Sequence, residues 1–364
     1  MNDAPPPSSE SYHFTRAVLL PWTEPQALWV ADGLVVDGPV AGAVTISDPC
    51  WVVPGLVDAH CHIGLGPSGA TDQATARAQA EADLAVGVML IRDAGSPSDT
   101  RWVHDQSELP RLLRAGRHIA RPKRYIRDLA AEVEPDDLVE QVRHEARSGD
   151  GWVKLVGDWI DRTVGDLDRL WPADVAERAI DAAHEEGARV TAHCFAEQSV
   201  AELVNAGIDC IEHGIGLSDA VIATMAERGT ALVPTMINLD NFPMYAADGA
   251  AKFPRYAAHM LDLHGRRHQT IGTAIEAGVQ VYTGTDAGTV VAHGRVVDEI
   301  EELARLGGTD FALGAGSWRA RGWLGADVVT TGASADFVVY SEDPREDLST
   351  LRRPTARILR GRVL

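Results

Sequence analysis

Six times along the middle of the chain, a polar–apolar helical stretch ends in a glycine and is followed at once by a short apolar run. The pairs are EADLAVG then VMLIRD, EARSGDG then WVKLVG, DAAHEEG then ARVTAH, AELVNAG then IDCIEH, TMAERG then TALVPT, and AIEAG then VQVYTGTD. Glycine is the favoured left-handed terminator of a helix. A run that is apolar on both faces suits a parallel strand covered by helices on each side. WVVPGLVDAH ahead of these units and a weaker run at 117–120 bring the expected strands to eight. The pattern therefore predicts an α/β fold, a (β/α)8 TIM barrel over 54–322, in which active sites sit at the C-terminal ends of the strands. A doubly wound sheet shares the local pattern but usually has fewer strands.

Both ends read differently. Short alternating runs fill 15–53 (AVLL, LWVAD, GLVVDG, AVTIS), and ADFVVYSEDP and ARILRGRVL do the same near the C-terminus. Neither end is long enough to bury a β core alone. Paired, 13–53 and 323–364 are expected to build one small β-sandwich domain, with 1–12 as a mobile tail. A length of 364 residues fits that division into about two units of ~150 residues.

Charge narrows the partners. A formal charge of −20 argues against a nucleic-acid or anionic-membrane partner and leaves a small-molecule substrate as the expectation. No apolar run reaches the ~18 residues of a membrane span, and MNDAPPPSSESYHF lacks the regions of a signal peptide. The four cysteines form no CxxC pair, so a reducing, cytoplasmic setting is expected.

The sharpest chemical signal is DAHCHIG at the end of the first expected strand. Side chains alternate along a strand, so His60 and His62 point one way and Cys61 the other. Two imidazoles on one face make a chelating pair, or else two hydrogen-bonded surface histidines. Their companions favour the metal: TAHCF places His193, CIEHG places His213 and TGTDAG places Asp286, each at the same end of its own strand. By the same alternation Cys61 and Cys194 should face away, as small core residues.

Lys154, in GWVKLVGDW, is one of only three lysines beside 30 arginines. An ammonium in an apolar strand is costly to bury unpaired. A desolvated lysine can lose its proton and take up carbon dioxide as a carbamate, which arginine does not readily do. The plainer reading is a lysine that reaches to the barrel end or pairs with Asp158.

PGLVDAHCHIG, VKLVGD, AHCF, IEHG and GTDAG, in that order, resemble the amidohydrolase superfamily, and GTDAG…HG with the ADFVVYSEDPREDLSTL tail is similar to its imidazolonepropionase-like and Xaa-Pro dipeptidase-like branch. The likeness runs from about residue 15 to the end. It implies a metal-dependent hydrolase with two divalent ions, zinc being the default for such donors. His60 and His62 would bind one ion and His193 and His213 the other, with carboxylated Lys154 bridging them. Asp286 would be both a ligand and the catalytic proton shuttle. Two cations about 3.5–4 Å apart would share a water as a bridging hydroxide for attack on an amide-type C–N bond.

A dipeptide, an N-acyl amino acid or a cyclic amide would be the substrate. Phosphotriester or lactone hydrolysis, a mononuclear deaminase, and a catalytically silent metal-binding protein are the alternatives, in that order. His293, in the HG that follows strand eight, is a candidate for orienting substrate, or a structural cap. The stretch 235–268, with Phe242, Tyr245, Phe253 and Tyr256, is a candidate lid, and Tyr245 a candidate substrate contact. Asp58 and Asp93 read as supporting residues. The family often forms homo-oligomers, though no number follows from the sequence. Departures after strands three and four, and in DFALGAGSWRARGWLG, fall where the pocket is shaped.

Overall fold

The computed structural model describes residues 10–364. The expected mobile tail therefore lies mostly outside the described residues, and its last member, Tyr12, already opens a strand. The glycines of the six helix–glycine units all take positive φ: 94° at Gly87, 83° at Gly151, 77° at Gly187, 87° at Gly207, 75° at Gly229 and 84° at Gly278. A side chain in that conformation is strained, so each glycine fixes the point where a helix or loop turns back into a strand.

The strands that follow are parallel. Leu56–Cys61 pairs with Val88–Asp93, and that strand with Arg111–Arg114. Ile119–Ala120 pairs with Trp152–Val156, then come Arg189–Cys194, Cys210–His213 and Ala231–Val233. Bridges from Leu232 to Val281 and from Ala287 to Cys61 bring the last run back to the first strand. The result is a TIM-barrel-type α/β fold.

Two expected strands are irregular. The weak third one, expected at 117–120, forms only at Ile119–Ala120, as the second half of a split strand whose first half, Arg111–Arg114, was not expected; Gly116 turns at φ 71° between the halves and the Arg117 N–H donates to the Glu145 carboxylate at 2.9 Å. The first half therefore pairs with the strand before it and the second with the strand after it. The VQVYTGTD run pairs only through isolated bridges, since Thr283 N–H goes instead to the Ala315 carbonyl at 3.2 Å and Asp286 turns at φ 57°.

The two chain ends form one eight-stranded sheet. Cys50–Pro54 lies between Tyr12–Leu19, which it meets in parallel, and Phe337–Tyr340, which it meets antiparallel. This sheet has its own apolar cluster, in which Phe14 meets Phe337 edge-on at 5.7 Å.

Inside the barrel, Val57, Ala59, Trp152, Cys210 and Tyr282 pack against Ala320 and Leu324. Those last two come from the departing segment, which folds as helices Thr309–Gly316 and Trp318–Trp323. Trp323 stacks on Tyr282 at 4.4 Å, and the guanidinium groups of Arg92 and Arg189 lie over Trp152 at 4.5 and 4.1 Å. The segment is thus part of the barrel filling.

The strand-four departure becomes a hairpin, Asp158–Asp161 with Asp166–Arg169. The stretch after Ala231–Val233 becomes helices Met236–Leu239, Phe242–Ala250 and Pro254–Glu276. His259 ties the longest helix to its neighbours, with Nδ1 on Asp166 at 2.9 Å and Nε2 on Glu197 at 3.1 Å. No helix among the described residues is long and apolar enough to cross a membrane.

The hydrogen bond to Glu197, helped by Asp166, raises the His259 imidazolium from 6.5 to about 9. Its stabilisation is complete below about 6.5 and is lost as the pH climbs through about 9. Thermal melting from pH 6 to 9.5 should show the wild-type Tm falling across this window and His259→Gln falling less. Parallel curves would count against the clamp.

Candidate metal centre

His60 and His62 leave the first strand on the same side, their rings 5.1 Å apart and nearly perpendicular. His60 Nε2 and His62 Nε2 both face one carboxylate oxygen, Asp286 Oδ1, at 3.2 and 3.0 Å. Of the opposite ring nitrogens, that of His62 is hydrogen-bonded to oxygen and that of His60 only lies near a carboxylate. His62 Nδ1 meets the Gly95 carbonyl at 2.7 Å, and His60 Nδ1 lies 3.5 Å from Glu212 Oε1. A proton on each Nδ1 leaves the Nε2 lone pairs aimed at Asp286, the arrangement a cation requires.

The second pair lies beside the first. His213 is 5.3 Å from His60 and 4.8 Å from His193, ring to ring. His213 Nδ1 meets Thr235 Oγ1 at 2.7 Å, which frees its Nε2 to face His193 Nδ1 at 3.0 Å. The other nitrogen of His193 is buried without a partner. Burial holds His60 and His213 well below the ordinary histidine range and brings His193 down to about 3, so all three are neutral donors at pH 7.

Burial alone would raise the Asp286 carboxyl, but the imidazoles of His60, His62 and His213 outweigh it and hold it well below the usual range. Its second oxygen accepts from Asn238 Nδ2 at 2.6 Å, and Tyr245 donates to Asn238 Oδ1 at 3.1 Å. His213, Thr235 and Asp286 all take positive φ, at 66°, 50° and 57°. Left-handed backbone is uncommon in residues other than glycine and concentrates where function over-determines the chain.

Lys154 is 1 % exposed and burial pushes its amine down to about 7. It pairs with Glu212, not with Asp158. Asp158 instead accepts from the backbone N–H groups of Phe195 and Ala196, each at 2.9 Å, and from the Cys194 thiol. Glu212 also accepts from Thr191 Oγ1 at 2.8 Å and pairs with Arg92 at 3.3 Å. The His60–His62–Asp286 donors therefore fit a cation, and the His193–His213 pair and a lysine of lowered basicity lie in the same region.

All six expected ligands line one cavity of about 490 Å³. Tyr245, Phe253 and Tyr256 of the expected lid line it too, while Phe242 is buried behind Phe195 at 4.8 Å. His293 does not. Its Nδ1 binds Asp83 at 2.8 Å, in a separate buried cluster with Cys61. Asp58 accepts from Thr285 and the His60 N–H, and Asp93 from Gly95 N–H, both as supports.

Sequence reasoning missed Glu212, Arg92, Asn238 and His118. His118 lies just before Ile119–Ala120, 5.1 Å from His62, ring to ring, with both nitrogens unpartnered. Its position inside the weak run at 117–120 was the available signal.

Imidazoles, a carboxylate and a buried lysine at one mouth of a TIM-barrel-type fold define a class, the barrel hydrolases. The model of the amidohydrolase family matches residues 51–363, and the chain belongs to that family. A Mycobacterium tuberculosis relative, the uncharacterized protein Rv2915c, is 55% identical over 350 residues, covering 96% of this chain and 94% of its own. Among solved structures, a prolidase complexed with N-methylphosphonate-L-proline superposes with a TM-score of 0.82 at 20% identity, over 97% of this chain and 99% of that one. A putative prolidase from Bifidobacterium longum gives 0.84 at 23% identity, over 98% and 95%. These likenesses carry the fold.

Glu212 is the single acceptor shared by Arg92, Lys154 and Thr191. Glu212→Leu should cost about 3–5 kcal/mol in urea unfolding, because it strands the buried Arg92 guanidinium and takes away the acceptor of Lys154. A loss below about 1 kcal/mol would show that the network does not hold the barrel interior.

Proposed function

We propose that this amidohydrolase-family hydrolase cleaves an amide-type C–N bond with two divalent ions, zinc by its donor chemistry. The observation that carries the reading is the convergence of His60 Nε2 and His62 Nε2 on Asp286 Oδ1, in the cavity that also holds Lys154, His193 and His213. His60, His62 and Asp286 would hold one ion and His193 and His213 the other, with carboxylated Lys154 between them. The ions would supply Lewis-acid polarisation of the scissile carbonyl and a lowered pKa for water.

The chain's own groups do the rest. A carbamate keeps one N–H, so Lys154 can still donate to Glu212 while its new carboxylate end faces the cavity. An amine brought down to about 7 is partly unprotonated at neutral pH, as carbamate formation needs. Asp286 takes the proton of the attacking water and returns it to the leaving nitrogen, as general base and then acid. Asn238 fixes Oδ2 of that carboxylate, so the proton moves through a group of set orientation. Glu212 and the Gly95 carbonyl orient His60 and His62 from behind.

Tyr245 serves the site through Asn238 as well as by lining the cavity. His293, bonded to Asp83 outside the cavity, fits the structural role better than substrate contact. We take 13–53 with 323–364, apart from Trp323 and Leu324 that fill the barrel, as a separate small β-sandwich domain beside a closed (β/α)8 barrel. Four buried free thiols favour a reducing, cytoplasmic setting.

Asp286→Asn should keep its metal and lose about 10²–10⁴-fold in kcat, read by metal analysis and turnover on one preparation. Wild-type kcat in that variant would sink the proton-shuttle assignment. Metal analysis of the wild type should give about two ions per chain, and one ion would point to the mononuclear alternative.

A further inference from the structure

Beyond the metal centre, the cavity wall is aromatic and carries almost no charge. Tyr125, Trp159, Phe195, Tyr245, Phe253 and Tyr256 supply it. Tyr125 meets Trp159 edge-on at 4.8 Å and the ring of His193 at 5.7 Å, so the aromatic wall reaches the proposed ligands directly.

Among the described residues, Lys154 is the one lysine or arginine in the lining, and it is committed to Glu212. Arg124, beside Tyr125, is turned away, with Nη1 on Asp161 at 2.7 Å and Nη2 on the carbonyls of Trp159 and Asp168 at 3.3 and 3.0 Å. Arg127, one residue beyond Ile126, is exposed and outside the lining. The remaining charged side chain of the wall is an anion, the exposed Asp248.

A dipeptide or an N-acyl amino acid carries a free carboxylate close to its scissile bond. Sites that select carboxylates use cations, above all the two-pronged arginine fork. With the metal centre taken up by the scissile amide, a carboxylate lying against the aromatic rings has no such partner and is costly to bury. An uncharged ligand of similar shape meets no such penalty and gains apolar contact along the whole wall.

We propose that the substrate is an uncharged amide flanked by aromatic or bulky apolar groups, and that carboxylate-bearing dipeptides and N-acyl amino acids are disfavoured. The inference rests on the hydrolase reading of this site and narrows it. The reaction needs water alone: its oxygen bonds to the acyl carbon, the C–N bond breaks, and the proton passes to the leaving nitrogen.

The test uses the metal-loaded full chain and a matched pair, N-benzoyl-L-phenylalaninamide and N-benzoyl-L-phenylalanine, which differ in the charge at one end. Kd is measured by calorimetry and benzoate release is followed in parallel, with kcat/KM replacing Kd where release occurs. The amide should be favoured by about tenfold or more, and Asp248→Asn should narrow that ratio about two- to fivefold. Equal or better recognition of the acid, binding of neither compound, or a ratio unmoved by Asp248→Asn overturns the proposal. Preferred binding of the amide without benzoate release leaves the pocket inference standing and counts against the amide-hydrolysis reading instead.

Discussion

A single buried carboxylate, Glu212, reconciles the two demands placed on the barrel interior. The lower interior holds Arg92 over Trp152, and the upper holds Lys154 beneath the histidines. Without an acceptor between them, the Arg92 guanidinium and the Lys154 N–H groups would lie unpaired in a dry space, which costs far more than a broken surface pair. Glu212 lies at that boundary, and its Oε1 also faces His60. The packing of the barrel and the setting of the donors therefore depend on the same group.

Backbone geometry explains why the donors meet. His213, Thr235 and Asp286 each leave the regular strand conformation at its end. Ordinary alternation would place Glu212 and His213 on opposite faces. With φ at 66°, His213 turns inward above its neighbour, and both reach His60. Thr235 then lies against His213 and starts the short helix that delivers Asn238 to Asp286. Glu299, buried in helix Val296–Gly307, accepts the N–H groups of Met236 and Ile237 at 2.9 and 3.0 Å and so anchors that helix.

Much of this was legible beforehand. The terminating glycines marked the strands, and the positions of His60, His62, His193, His213 and Asp286 at strand ends and of Lys154 within its strand could be read from the sequence, because period and spacing are local properties. The separation of Cys61 from its flanking histidines followed from alternation alone. Glu212 was hidden because its role depends on a left-handed neighbour and on Arg92 from a distant strand. Asn238 was hidden because loop geometry, not periodicity, aims it. The split third strand followed from Gly116, a residue whose φ no hydrophobic pattern reveals.

The shared terminal sheet has a consequence in time. Cys50–Pro54 leads directly into the first barrel strand, yet one of its two neighbours, Phe337–Tyr340, is made only after the barrel. A nascent chain emerges N-terminus first, so this edge waits unpaired while the barrel is translated. An open strand edge invites pairing with other chains. Phe337–Tyr340 thus acts as a closing latch, and removing it would leave one edge of Cys50–Pro54 exposed.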